Sequence, residues 1–151
     1  MLSMHKTKAL IALLTVFSGG ALAQNASPVG VWRTVDDATH QPTSLVKISV
    51  QGDGLVGVVE RVLDAAGSDK RCDLCKDDRK NMPIVGMQVI RRIPAEKGTS
   101  ASWDGGEILD PKSGRTYRVR LTLTDGGQSL EVRGYIGTPL FGRTQVWQRV
   151  Q

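Results

Sequence analysis

Histidine is almost missing from this 151-residue chain: there are two, His5 and His40. His5 lies in a leader-like start, so the mature chain keeps His40 alone. Histidine is the commonest general base and a frequent metal ligand. With one available, in a stretch containing proline and threonine, neither a Ser-His-Asp site nor a multi-histidine metal centre is easily built. Cysteine is as sparse, with Cys72 and Cys75 only; two thiolates leave a zinc site short of two ligands, which His40, Asp73, Asp77 or Asp78 would have to improvise. Aromatic residues make up 5 % of the chain, and they do not interleave with basic runs, which argues against a nucleic-acid surface. The apolar run at residues 9–17 falls short of the about 20 residues that cross a bilayer, so no transmembrane segment is expected. No convincing helix appears after residue 23. These absences leave no convincing catalytic constellation, no metal site and no cofactor; a non-enzymatic role is expected.

What is present begins with export. His5-Lys6-Thr7-Lys8 precedes the apolar run, Gly19 and Gly20 follow it, and Ala21-Leu22-Ala23 supplies the small-x-small triplet read by signal peptidase. Cleavage after Ala23 is expected, with no cysteine behind it to carry a lipid. Residues 1–23 are then a signal peptide and residues 24–151 one domain in the periplasm or outside the cell. Loss of Lys6 and Lys8 leaves 18 basic and 15 acidic side chains, a formal charge of +3. So mild a charge permits weak attraction to anionic envelope surfaces and little else.

The mature chain repeats one behaviour: a short apolar or alternating run, then a turn. Runs are read at residues 30–35, 45–51, 55–63, 84–93, 100–109, 115–124, 130–137 and 143–150. The clearest is 115–124, where Tyr117, Val119, Leu121 and Leu123 alternate with Arg118, Arg120, Thr122 and Thr124. Gln51-Gly52-Asp53-Gly54, Asp110-Pro111-Lys112-Ser113-Gly114 and Asp125-Gly126-Gly127 are turns by composition, and Gly105-Gly106 predicts a kink. One apolar and one polar face per strand marks antiparallel sheet with one wet side. The fold class is therefore all-β, an eight-stranded antiparallel up-and-down barrel, with a two-sheet sandwich as the alternative. Closure removes the exposed strand edges. At eight strands the interior is either filled or holds one small ligand.

Gly30-Val31-Trp32 opens the first strand and Arg143-Thr144-Gln145-Val146-Trp147-Gln148-Arg149 forms the last. In such a barrel these strands are neighbours, so Trp32 can plug one end under an arginine. This pairing resembles the lipocalin and calycin pattern. A longer series of segments runs through Cys72 to Cys75 and Pro83-Ile84-Val85-Gly86-Met87. It continues with Trp103, Gly105-Gly106, Asp110-Pro111-Lys112-Ser113-Gly114, Val132-Arg133-Gly134-Tyr135 and Gly142-Arg143-Thr144-Gln145. Together with the strand-one motif, it resembles an uncharacterised family of small secreted bacterial proteins, a domain of unknown function. The resemblance covers nearly the whole mature chain and implies a lipocalin-like barrel with no established activity.

Three functional readings follow. The first is a binding module for a small apolar or amphipathic molecule, lined by Trp32, Tyr117, Val119, Leu121, Leu130 and Val132, with Arg143 or Gln145 orienting a polar head. The second is a thiol-disulfide active envelope protein using Cys72 and Cys75, whose neighbours Lys70, Arg71, Lys76, Arg79 and Lys80 favour a thiolate. The blander reading of that pair is a local disulfide stiffening the polar stretch 64–83. The third is an envelope protein acting through its surface. Asp104, Glu107 and Asp110 are better explained as bulge and turn residues than as an acidic site. Binding is preferred to catalysis; the expected partner is a small hydrophobic molecule, with no protein partner indicated.

Overall fold

Alternation along Arg115–Thr124 dictates β6: Val119 and Leu121 are wholly buried and Leu123 nearly so, while Arg118, Arg120 and Thr122 stay outside. The same two-residue period recurs in most of the other strands. The computed structural model describes residues 27–65, 67, 69–95 and 101–150. The expected signal peptide, residues 1–23, lies outside the described residues. In chain order the strands are β1 (Gly30–Val35), β2 (Pro42–Gln51), β3 (Gly54–Val62), β4 (Gln88–Pro94), β5 (Ser102–Asp110), β6 (Arg115–Thr124), β7 (Ser129–Tyr135) and β8 (Arg143–Arg149). Each pairs antiparallel with its sequence neighbour and β8 returns to β1, closing the barrel. Two 3₁₀ turns, Asp125–Gly127 and Pro139–Phe141, sit between strands. The barrel, not the sandwich, is the fold.

One strand begins later than the apolar run suggests. Ile84 and Val85 extend the hydrophobic stretch, yet β4 starts at Gln88, because Met87 N–H turns back to the Ile84 carbonyl (3.0 Å) and Gly86 bonds across to Val59 (2.8 Å). The expected kink at Gly105-Gly106 is a bulge: the register slips between Asp104 and Gly106. Asp104 anchors it, accepting from Gly105 N–H, Arg120 and the Tyr135 hydroxyl. Burial works against the Asp104 charge, but Tyr135 and Arg120 prevail and hold the carboxyl below its ordinary range. The missing side chain at Gly106 lets β4 fold inward, since a Cβ there would sit 2.3 Å from Ile93 Cγ1 and 2.5 Å from the Arg91 carbonyl oxygen.

The β1–β8 seam is short, pairing only Trp32 with Arg149 and Arg33 with Gln148. Arg149 reinforces it. Its guanidinium lies 4.3 Å from the centroid of the Trp32 ring. It also donates to the carbonyls of Gly127 (2.6 Å), Val29 (2.8 Å) and Ser27 (2.8 Å). Trp32 is wholly buried and its indole N–H reaches the Pro28 carbonyl at 2.8 Å. Ile48, Leu55, Ile90, Ile93, Trp103, Leu121 and Leu130 pack with it in one cluster, so part of the barrel interior is solid.

Candidate functional site

The other end of the barrel is hollow. Strand ends and the connections β1–β2, β3–β4 and β5–β6 enclose an open-mouthed cavity of about 1180 Å³, a little above the usual range for small-molecule sites. Its floor is apolar, built by Val46, Val59, Val89, Leu109, Val132 and Trp147, all buried. These are inward positions of half-buried strands, so their alternation is the reason they line it. A shallower hollow of about 680 Å³ lies between β3 and β4. Its walls mix polar and apolar surface, and Arg91 there is held bidentate by Asp78 at 2.9 Å.

Polar groups reach the large cavity from β1, β2 and β8 and from the β3–β4 and β5–β6 connections. On β8 the alternate residues Arg143, Gln145 and Trp147 all reach it. Asp37, at the end of β1, ties them together: it pairs with Arg143 and accepts from Gln145 Nε2 at 2.9 Å, and Gln145 Oε1 in turn accepts from the Trp147 indole at 3.0 Å. Beside this chain, Thr34 Oγ1 lies 2.7 Å from both Thr43 Oγ1 and Ser44 Oγ. Floor and rim together present apolar surface below and hydrogen-bonding groups above.

Asp36 shapes the rim. Its carboxylate accepts the backbone N–H of Thr39 (2.9 Å) and Ala38 (3.0 Å), and Lys112 approaches at 3.4 Å. The Thr39 and Ala38 amides, foremost, pull its pKa down to about 2. A depressed carboxylate stabilises at pH above its unfolded value of about 4 and ceases to as pH falls through the folded value. The β1–β2 turn is therefore expected to keep its shape at pH 3. NMR titration of the Ala38 and Thr39 amides should show a midpoint near 2, and one near 4 would contradict these bonds.

The long connection at residues 63–87 supplies the remaining wall, including Lys70, Arg71, Asp73, Leu74 and Ile84. It is clamped in place. Cys72 and Cys75 are joined by a disulfide with Cα atoms 5.4 Å apart, and both are buried in the core cluster. Buried Arg79 bonds Asp77, the Gln88 carbonyl (3.0 Å) and Thr116 Oγ1 (3.4 Å), fastening the connection to β4 and β6. With both sulfurs shut away, an attacking thiolate has no approach, so the pair acts here as a staple.

Of the residues expected to line a ligand site, Tyr117, Val132, Arg143 and Gln145 reach the cavity. Trp32, Val119, Leu121 and Leu130 do not; they are wholly or almost wholly buried in the solid part, where Trp32 carries Arg149. Alternation identified inward positions but not their depth along the barrel axis. Asp37, Thr34 and Ser44 were not anticipated, because their place depends on β1–β2 and β1–β8 neighbours distant in sequence. His40 is exposed on the β1–β2 connection, away from the cavity lining. Asp104, Glu107 and Asp110 form no joint site. Asp104 holds the bulge, Glu107 faces Arg92 at 3.8 Å, and Asp110 accepts from Lys112 N–H and Ser113 Oγ in its turn.

Residues 30–149 match the model of a family described as an uncharacterized protein conserved in bacteria (DUF2147). The chain belongs to this family. None of the curated proteins matches its sequence. Among solved structures it is similar to protein HP1028 from the human pathogen Helicobacter pylori, described as belonging to the lipocalin family. That likeness has a TM-score of 0.69 and 22 % identity, over 83 % of this chain and 84 % of that one. It shows that this DUF2147 member has a lipocalin-like fold, as the Gly-x-Trp start and the late-strand arginine imply.

Proposed function

We propose that this DUF2147 protein binds a small amphipathic molecule in its barrel. The apolar part would lie among Val46, Val59, Val89, Val132 and Trp147, and the polar head at Asp37, Arg143 and Gln145. The observation that carries this reading is the mouth-and-floor arrangement of the 1180 Å³ cavity, since an apolar hollow with a few convergent polar groups is the usual form of a ligand site. Buried methylenes contribute about 0.8 kcal/mol each, so a chain of about ten suffices for affinity near micromolar before ordering costs. The membership of a lipocalin-like family supports the same reading. The leader-like start and the disulfide support action outside the cytoplasm.

Gly134 provides the test. A Cβ there would meet Tyr117 Cβ at 3.5 Å and Ile108 Cγ2 at 3.8 Å, ordinary contacts, and Gly134 borders the cavity. The pair Gly134→Leu and Val132→Trp should fill space without unfolding the barrel. Titration with a fluorescent fatty acid is expected to show saturable binding by the natural protein and binding at least about tenfold weaker in the filled variant, with similar melting curves. Equal affinity in both, or no saturable binding by the natural protein, would end this reading.

A further inference from the structure

The three most exposed large apolar side chains among the described residues are Ile136 (71 %), Leu140 (79 %) and Phe141 (81 %). All three occupy one connection, between β7 and β8. Gly134 and Arg143, which flank it, both border the cavity, so the apolar tip stands at the mouth. Soluble proteins seldom leave such residues clustered in water without a partner.

The tip is built to present them. Phe141 N–H bonds the Thr138 carbonyl (3.3 Å) and Gly142 N–H the Pro139 carbonyl (3.1 Å). Arg133 grips the turn from below, donating to the Pro139 carbonyl (2.6 Å), the Leu140 carbonyl (3.4 Å) and Thr144 Oγ1 (2.8 Å). Gly142 packs so closely that a Cβ would sit 2.8 Å from the Gly134 carbonyl oxygen. The backbone is satisfied and fixed, while the side chains point outward.

Charge around the mouth specifies the partner. In both ion pairs at the β1 side of the rim the carboxylate is recessed and the cation stands forward. Lys112 is 86 % exposed against 24 % for Asp36, and Arg143 is 72 % exposed against 24 % for Asp37. On this side the outermost layer is therefore apolar residues beside cations, the combination that suits the interface of an anionic bilayer; the exposed carboxylates of Asp69 and Asp73 border the mouth on the β3–β4 connection. A protein partner with an acidic rim would be the competing occupant, but flexible lipid accommodates a narrow apolar tip that offers little area for a protein interface.

We propose that the β7–β8 tip inserts into the surface of an anionic phospholipid membrane, seating the β7–β8 side of the cavity mouth against it. The proposal builds on the amphiphile-binding reading, because docking there would let a molecule pass between bilayer and barrel without crossing water. The purified protein would be floated with phosphatidylcholine vesicles, with and without phosphatidylglycerol. Association with the phosphatidylglycerol vesicles, weakened by salt, is expected. Leu140→Ser and Phe141→Ser should each reduce it about tenfold, the scale set by returning one such side chain to water. Neither side chain borders the cavity, so fluorescent fatty acid binding in solution should persist in both variants. Phe141→Trp should retain association and shift its added fluorescence to the blue when vesicles are present.

Failure of the natural protein to float, equal flotation of the serine variants, or tip-dependent self-association in place of flotation would each overturn the proposal. Fatty acid binding without flotation would overturn docking and leave the cavity reading intact; flotation without fatty acid binding would do the reverse.

Discussion

Replacing Gly114 with alanine is expected to lower the melting temperature by about ten degrees or more, the largest effect of any single methyl group added to this barrel. Two costs coincide. Gly114 has φ +68°, in the left-handed region, where a Cβ costs about 1 kcal/mol or more. That Cβ would also lie 2.0 Å from the Leu74 carbonyl oxygen, 2.3 Å from its carbon and 2.8 Å from the Cys75 nitrogen. All three are backbone atoms, and the peptide they belong to is held between Cys72 and Cys75 by the disulfide. Neither side yields cheaply, so the combined loss should reach about 3 kcal/mol, which for a domain of this size corresponds to the stated shift. Removing the disulfide by Cys72→Ala with Cys75→Ala releases the Leu74 side of the contact. In that background Gly114→Ala should cost less, although the background itself melts lower. Thermal melts of the four proteins measure this, and a Gly114→Ala variant within two or three degrees of the natural protein would show that the two turns do not touch.

The second large effect belongs to Trp32. Its wholly buried indole fills one end of the barrel, so Trp32→Ala should cost about 4 kcal/mol in urea unfolding, in line with other buried aromatics. Trp32→Phe keeps most of the bulk and forfeits the bond to the Pro28 carbonyl, for about 1 kcal/mol. Arg149→Met removes a cation that burial disfavours but that three carbonyls and the indole hold, and should cost about 2 kcal/mol. If the arginine acts on the ring, the double variant should lose about 1 kcal/mol less than the single losses combined. Additive losses would mean that Arg149 works only through the carbonyls.

The strand order was readable because most strands carry their own alternation, turns separate them, and each pairs with its sequence neighbour. Arg115–Thr124 needed no tertiary information at all. Ile84 misled because an apolar residue in a turn that packs on the barrel looks the same as one in a strand. The site was less legible than the fold. Tyr117 and Val132 share a face with Val119, Leu121 and Leu130, and nothing local says where along the axis the packed interior gives way to open space. That level is set by Trp32, Trp103 and Ile48, which meet from three strands. Asp37 is harder still. Its role arises from contact with Arg143 and Gln145, more than a hundred residues away, and no period or motif links them. The disulfide was anticipated from composition, but its burial depends on the β5–β6 turn beneath it.

Arg149 holds Ser27 and Val29 next to the last strand, so the polypeptide enters and leaves the barrel at the same pole, opposite the cavity. A tether, reporter or solid support joined through either flank of residues 27–150 would hang beneath the vessel and leave its entrance unobstructed.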